Sequence, residues 1–150
     1  MNKKMTNLDW QHIKYMHYKT ENWGDPYKVS KQLVFNVESM RKFSERPVIL
    51  TCAAYSKSGH SDKSQHGKGN AADLRIKRAT LLEMYIIAER HNFSGIGLYP
   101  NNGRPFIHVD VRPHNVLDKQ ARWIAIPTNS TSEYWEYIGL TEENIRKYVL

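Results

Sequence analysis

His66, Asp73 and His108 are the residues of this chain whose types and spacing could do chemistry. Two imidazoles and one carboxylate form the ligand set that a catalytic zinc ion takes when its fourth position stays open to water. His66 and Asp73 share the segment from Ser64 to Asp73, in which Gly67 and Gly69 would let the backbone turn back over the following strand. Neither falls in a helical pattern, so the pair is not the His-Glu-x-x-His zinc helix. His108 sits in a separate run, Phe106 to Arg112, where a two-residue period puts Phe106, His108, Asp110 and Arg112 on one face. Ile107, Val109 and Val111 fall on the other. A polar face on an otherwise apolar strand is costly unless a metal or substrate uses it. Taken singly, a histidine in a basic protein reads as a surface or hydrogen-bonded core residue, and Asp73 as a turn or ion-pair carboxylate. The combination is what points to a metal.

The elements that must position these residues can be read from periodicity and capping. Ser30 is placed to cap a helix over 30–44, with Leu33, Val34, Val37, Met40 and Phe43 on one face. Pro47 ends it, and 48–55 reads as a buried strand that includes the single cysteine, Cys52, as a small buried hydrophobe. A polar loop over 56–70 carries His66, and 71–77 alternates as a second strand. A second helix over 80–92 offers Leu81, Leu82, Met84, Tyr85, Ile87 and Ala88 to the core. Strands over 95–99 and 106–112 follow, joined by the turn at Pro100 to Gly103. A further strand over 122–126 ends at Pro127, and Thr141 caps a closing helix over 141–149. Residues 1–28 read as an irregular aromatic-rich segment, with a short helix within 9–18 and a turn from Trp23 to Pro26. Helices separated by groups of strands predict an α+β domain with a central antiparallel sheet. The whole of 1–150 reads as one domain, with its core at about 28–126.

Composition narrows the class. At 150 residues, 40% hydrophobic and 11% aromatic, the chain is long and apolar enough to bury a core, which excludes wholesale disorder. One cysteine excludes an intramolecular disulfide and any multi-cysteine metal site. No run approaches the roughly 20 apolar residues of a membrane helix. The N-terminus has two lysines without an apolar stretch behind them, so a cytoplasmic product is expected, and something else must deliver it if its target lies outside the membrane. The net charge of +7 favours an anionic partner, nucleic acid or cell-wall polymer. The basic residues are scattered, however, and no nucleic-acid-binding pattern is present.

The segments carrying His66, Asp73 and His108 resemble the M15 family of zinc peptidases, the D-alanyl-D-alanine carboxypeptidases and phage peptidoglycan endopeptidases. The family pattern Ser-x-His-x-x-Gly-x-Ala-x-Asp is met by Ser64, His66, Gly69, Ala71 and Asp73. The Gly95 to Pro100 stretch, the His108-Val-Asp110 strand and Arg122-Trp123 are similar to the carboxypeptidase-like subgroup with a His-x-Asp strand. The resemblance covers about 28–126 and implies a fold shared with the hedgehog signalling domain. It implies that His66, Asp73 and His108 bind Zn²⁺, that a zinc-activated water attacks an amide, and that the substrates are peptidoglycan stem peptides. A monomer without membrane insertion is expected.

The catalytic residues are where the resemblance departs from the pattern. Several members carry an acidic base three residues before the last ligand, where this chain has Pro105. Asp110, on the same strand face as His108, is the first candidate for that base. Its alternative role is to orient a ligand or pair with Arg112. Many members also have an arginine where this chain has Tyr55, which implies a weaker or different oxyanion contact. His60 resembles a similarly spaced histidine of the hedgehog domain and is a candidate for oxyanion donation or proton movement. Lys57, Lys63 and Lys68 border the ligand loop, where they could attract acidic stems. His12, His17, His91 and His114 are expected at the surface. The departures at Pro105 and Tyr55 keep a rival in play, a zinc-containing binding module without hydrolysis, and the basic surface keeps nucleic-acid binding as a third reading.

Overall fold

The computed structural model describes residues 2–56, 64–101, 103–113, 120–128 and 135–150. Its elements are helices α1 (Asn7–Gln11), α2 (Lys31–Ser44), α3 (Leu81–Glu89) and α4 (Glu142–Tyr148). The strands are β1 (Val48–Leu50), β2 (Ala71–Ile76), β3 (Gly95–Tyr99), β4 (Phe106–Asp110), β5 (Ala121–Pro127) and β6 (Trp135–Gly139). The fold is α+β, as the pattern of helices and strand groups predicts.

The helices start where their caps dictate. Ser30 accepts from the Leu33 N–H at α2, and Thr80 and Glu83 close a reciprocal capping box at α3. Thr141 caps α4. Helix α2 stops as Glu45 turns left-handed at φ 57°, just before Pro47. Leu33, Val34, Val37 and Met40 are buried as their spacing predicts, but Phe43 is 70% exposed and stacks with His91 at the surface.

The six strands lie in the order β1-β2-β4-β3-β5-β6. Every neighbouring pair is antiparallel except β3 and β5. That exception follows from the short route between β4 and β5. Strand β4 ends at Asp110 opposite Gly95, and β5 begins at Ala121 opposite the same Gly95. Strand β4 thus ends, and β5 begins, at the same end of β3, so β5 runs parallel to β3. Strand alternation then separates two faces. Leu74, Ile76, Ile96, Leu98, Ile107, Val109 and Ile124 are buried in one cluster with the apolar faces of α2 and α3. The opposite face carries Asp73, His108 and Asp110.

Two expectations need correction. The strand predicted over 48–55 ends at Leu50. Beyond it, the Ala54 and Tyr55 N–H groups bond the carbonyls of Asn22 and Trp23 instead of extending the sheet. Cys52 is therefore exposed, not a buried hydrophobe. The N-terminal segment, expected to lie outside the core, is part of it: Met5, Trp10, Met16 and Trp23 are at most 2% exposed. The Glu38 carboxylate of α2 accepts the backbone N–H groups of Lys14, Tyr15 and Met16 and fixes the segment in place. Among the described residues, no helix is long and apolar enough to cross a membrane.

Candidate metal centre

Register brings two of the three candidate ligands together. Asp73 on β2 lies directly opposite His108 on β4, and His108 lies opposite Gly97 on β3. The third, His66, rides on a tight turn. Gly69 N–H bonds the His66 carbonyl, Asn70 N–H bonds the Gln65 carbonyl, and the Ser64 hydroxyl accepts the His66 N–H. Gly69 has φ +73°, and a Cβ there would meet the Lys28 carbonyl at 2.0 Å, so glycine is required. Gly67, expected to help the turn, does not adopt a positive φ. The Ser30 N–H bonds the Gly69 carbonyl and ties the turn to the start of α2.

One ligand atom from each of His66, Asp73 and His108 lies within 4.8 Å of the other two. His66 Nε2 is 3.3 Å, and His108 Nδ1 3.0 Å, from Asp73 Oδ1. The far nitrogen of each ring settles its tautomer. His66 Nδ1 is 3.1 Å from the Ala54 carbonyl, which can only accept, so Nδ1 carries a proton and Nε2 is the nitrogen left facing Asp73. His108 Nε2 is 2.8 Å from Asp110 Oδ2 and donates to it. Asp110 is fully buried and also takes the Arg112 guanidinium on both oxygens.

Two imidazole nitrogens and a carboxylate converge on one spot, which calls for positive charge between them, supplied by protons or by a bound cation. The titration of His108 shows the same demand. Burial alone would lower its pKa, but hydrogen bonds to Asp110 and Asp73 outweigh that and lift it to about 9. Burial works to raise both carboxylates, yet Asp73, bonded to the two histidines, and Asp110, bonded to Arg112 and His108, are held well below the usual range. The donor set fits a divalent cation: three converging ligands, each imidazole oriented by an acceptor behind it.

The other predicted site residues fall in different places. Asp110 stands behind His108, with both oxygens engaged by His108 and Arg112. The half-buried Tyr55 ring lies beneath the Lys28 ammonium at 5.5 Å, and Tyr55 is not among the described residues lining the cleft above the ligands. The Pro105 carbonyl accepts from Arg75. His60, Lys57, Lys63 and His114 lie outside the described residues. Lys68 is exposed on the ligand turn. His12 is exposed, whereas His17 is half-buried against Trp10 and Tyr18.

Several supporting residues escape a motif reading. The Ala54 carbonyl is backbone and leaves no side-chain signal. Gly95 and Gly97 face the site: a Cβ at Gly95 would meet Asp110 Oδ2 at 2.3 Å, and one at Gly97 the Trp123 indole at 2.4 Å. The Trp123 ring lies 5.3 Å from that of His108, with the Arg112 guanidinium 5.4 Å away on its other contact. The Gly-x-Gly alternation on a strand was the available sign that bulky groups cross that face. The cleft, about 440 Å³, is also lined by Ser64, Tyr99, Phe106, Trp135 and Tyr137.

No curated protein and no solved structure matches the chain. A family model described as peptidoglycan L,D-endopeptidase MepK matches residues 45–116. That stretch holds all three converging ligands, Asp110, Arg112 and the Ala54 carbonyl. Residues 45–116, and with them the three converging side chains, are thus similar to the M15 family of peptidases.

Proposed function

We propose that the protein is a zinc-dependent peptidase that hydrolyses a peptide bond in the stem peptides of peptidoglycan. The observation that carries this reading is the convergence of His66 Nε2, Asp73 and His108 Nδ1, with the far nitrogen of each imidazole held by an acceptor behind it. A divalent zinc bound there supplies Lewis acidity, which lowers the pKa of a water and polarises the scissile carbonyl. The chain's own residues do the rest. Asp110 and Arg112 hold the His108 ring, and the Ala54 carbonyl holds the His66 ring. This placement supports the orienting role for Asp110 over the role of base, because its oxygens face away from the cleft toward His108 and Arg112.

Tyr99 lines the cleft, and burial raises its phenol well above the ordinary value, so it stays protonated at neutral pH. Its hydroxyl can donate a hydrogen bond to a bound peptide carbonyl. His60, six residues before His66 in the sequence, is the group proposed to accept the proton given up by the attacking water. The family description favours an endopeptidase, acting outside the cytoplasmic membrane where its substrate lies.

The test is digestion of purified peptidoglycan with and without added zinc, read by mass spectrometry, with His66→Ala as control. New fragments that need zinc and are missing with His66→Ala are expected, and their masses identify the bond. Bound zinc with no product from several wall types would replace this reading with that of a non-hydrolytic wall-binding module.

A further inference from the structure

The sheet face that carries His108 continues past the metal centre. One two-residue step along the strands, about 7 Å away, β4 and β3 place Phe106 opposite Tyr99. Their rings stack with centroids 4.5 Å apart and planes 15° from parallel. Trp135, from β6, stands edge-on to both, at 5.0 Å from Tyr99 and 6.4 Å from Phe106. Tyr137, two residues further along β6 on the same face, is 62% exposed. The opposite sheet face is sealed by helices, but these four rings stay partly open and share one cleft with the three metal ligands. Tyr99 and Phe106 lie within the family match at 45–116, and Trp135 and Tyr137 lie beyond it.

We infer that Tyr99, Phe106, Trp135 and Tyr137 form a substrate subsite that holds an uncharged stretch of peptide about two residues from the bond cut. The inference rests on the peptidase reading and extends it. An extended chain advances about 3.3 Å per residue, so one lying along the strands from the metal row reaches the aromatic row at its second residue. Ring faces pack against amide planes and aliphatic side chains, and the two phenols can bond a peptide carbonyl or N–H. Among the described lining residues the acidic and imidazole side chains, His66, Asp73 and His108, all belong to the metal cluster, so the strip itself offers nothing to neutralise a carboxylate. A sugar on the strip would require a scissile bond immediately beside the glycan.

The experiment compares wild type, Trp135→Ala, Trp135→Phe and Tyr137→Ala on sugar-free stem peptides and on the same peptides carrying their disaccharide. Metal content is measured for each protein. Trp135→Ala should lose about ten-fold in kcat/KM through KM, with kcat nearly kept, equally on both substrates. Trp135→Phe should restore most of it, and metal content should not change. Tyr137→Ala, at an exposed position that does not threaten folding, should raise KM by about three-fold. Wild-type kinetics in both alanine variants would overturn the subsite. So would a loss confined to the disaccharide-bearing substrates, which would make the strip a sugar site. Failure of the wild type to cleave any stem peptide would instead sink the peptidase reading. The subsite would then stand or fall on whether Trp135→Ala weakens binding of the uncleaved peptide, read by calorimetry.

Discussion

His108 and His66 reach the same point from opposite kinds of structure. His108 lies within the sheet, with Asp73 fixed beside it by register and Asp110 and Arg112 locking its outer nitrogen. His66 lies on a turn, held by the Ala54 carbonyl, by Gly69 packed on Lys28 and by the N-terminal segment that bonds residues 54 and 55. The strand half is set by the fold itself and carries its own buried charges. The loop half depends on contacts between segments far apart in sequence. A metal joins the two, so its affinity reports on both.

The largest effect should come from the strand half. His108→Ala removes a ligand and leaves the buried Asp110–Arg112 pair without its third member. Metal affinity should fall by more than the roughly 100-fold that loss of an outer partner costs. A chelator-competition titration that returns the wild-type affinity would remove His108 from the centre. Asp110→Asn keeps the shape but weakens the hold on the ring, and a fall of about 10- to 100-fold in metal affinity is expected. Unchanged affinity with lost turnover would return Asp110 to the role of general base.

The loop half should break through its backbone. Gly69→Ala forces a left-handed residue to carry a Cβ against the Lys28 carbonyl, at a cost of about 1–2 kcal/mol from conformation alone. Both melting temperature and metal affinity should drop, because the turn that aims His66 must shift. If only stability falls, the turn is not what positions the ligand. The smallest effect is the response of the metal-free protein to pH. The pKa of His108 is raised on folding from the ordinary 6.5 to about 9. Its stabilising contribution is therefore complete below about pH 6.5 and lost as the pH rises through 9. The chelated protein should melt a few degrees lower at pH 10 than at pH 7, roughly, and the zinc-loaded protein should show no such step.

The strand half was legible in the sequence, and the loop half only partly. The alternation of Phe106, His108 and Asp110 against Ile107 and Val109 states both a strand and its polar face. The caps Ser30, Thr80 and Thr141 state where three helices begin. The setting of His66 could not be read in the same way. Its orienting acceptor is a main-chain carbonyl, and the segment that pins that carbonyl, residues 22–23, has no periodic pattern. Trp10 enters the core from the five-residue α1, too short to show a 3.6-residue period, and Trp23 from irregular chain, where no period exists to announce burial. The parallel pairing of β5 was equally hidden, because it depends on where β4 ends relative to β3. Trp135 and Tyr137 belong to a strand whose alternation is blurred by apolar residues on both faces, so the aromatic wall of the cleft emerged only from the register.

The most direct test of the account is anomalous diffraction at the zinc edge from crystals grown with zinc. One peak is predicted, about 2.0–2.2 Å from His66 Nε2, an Asp73 oxygen and His108 Nδ1. A peak at another set of residues, or contact through His108 Nε2 with Asp110 displaced, would contradict it.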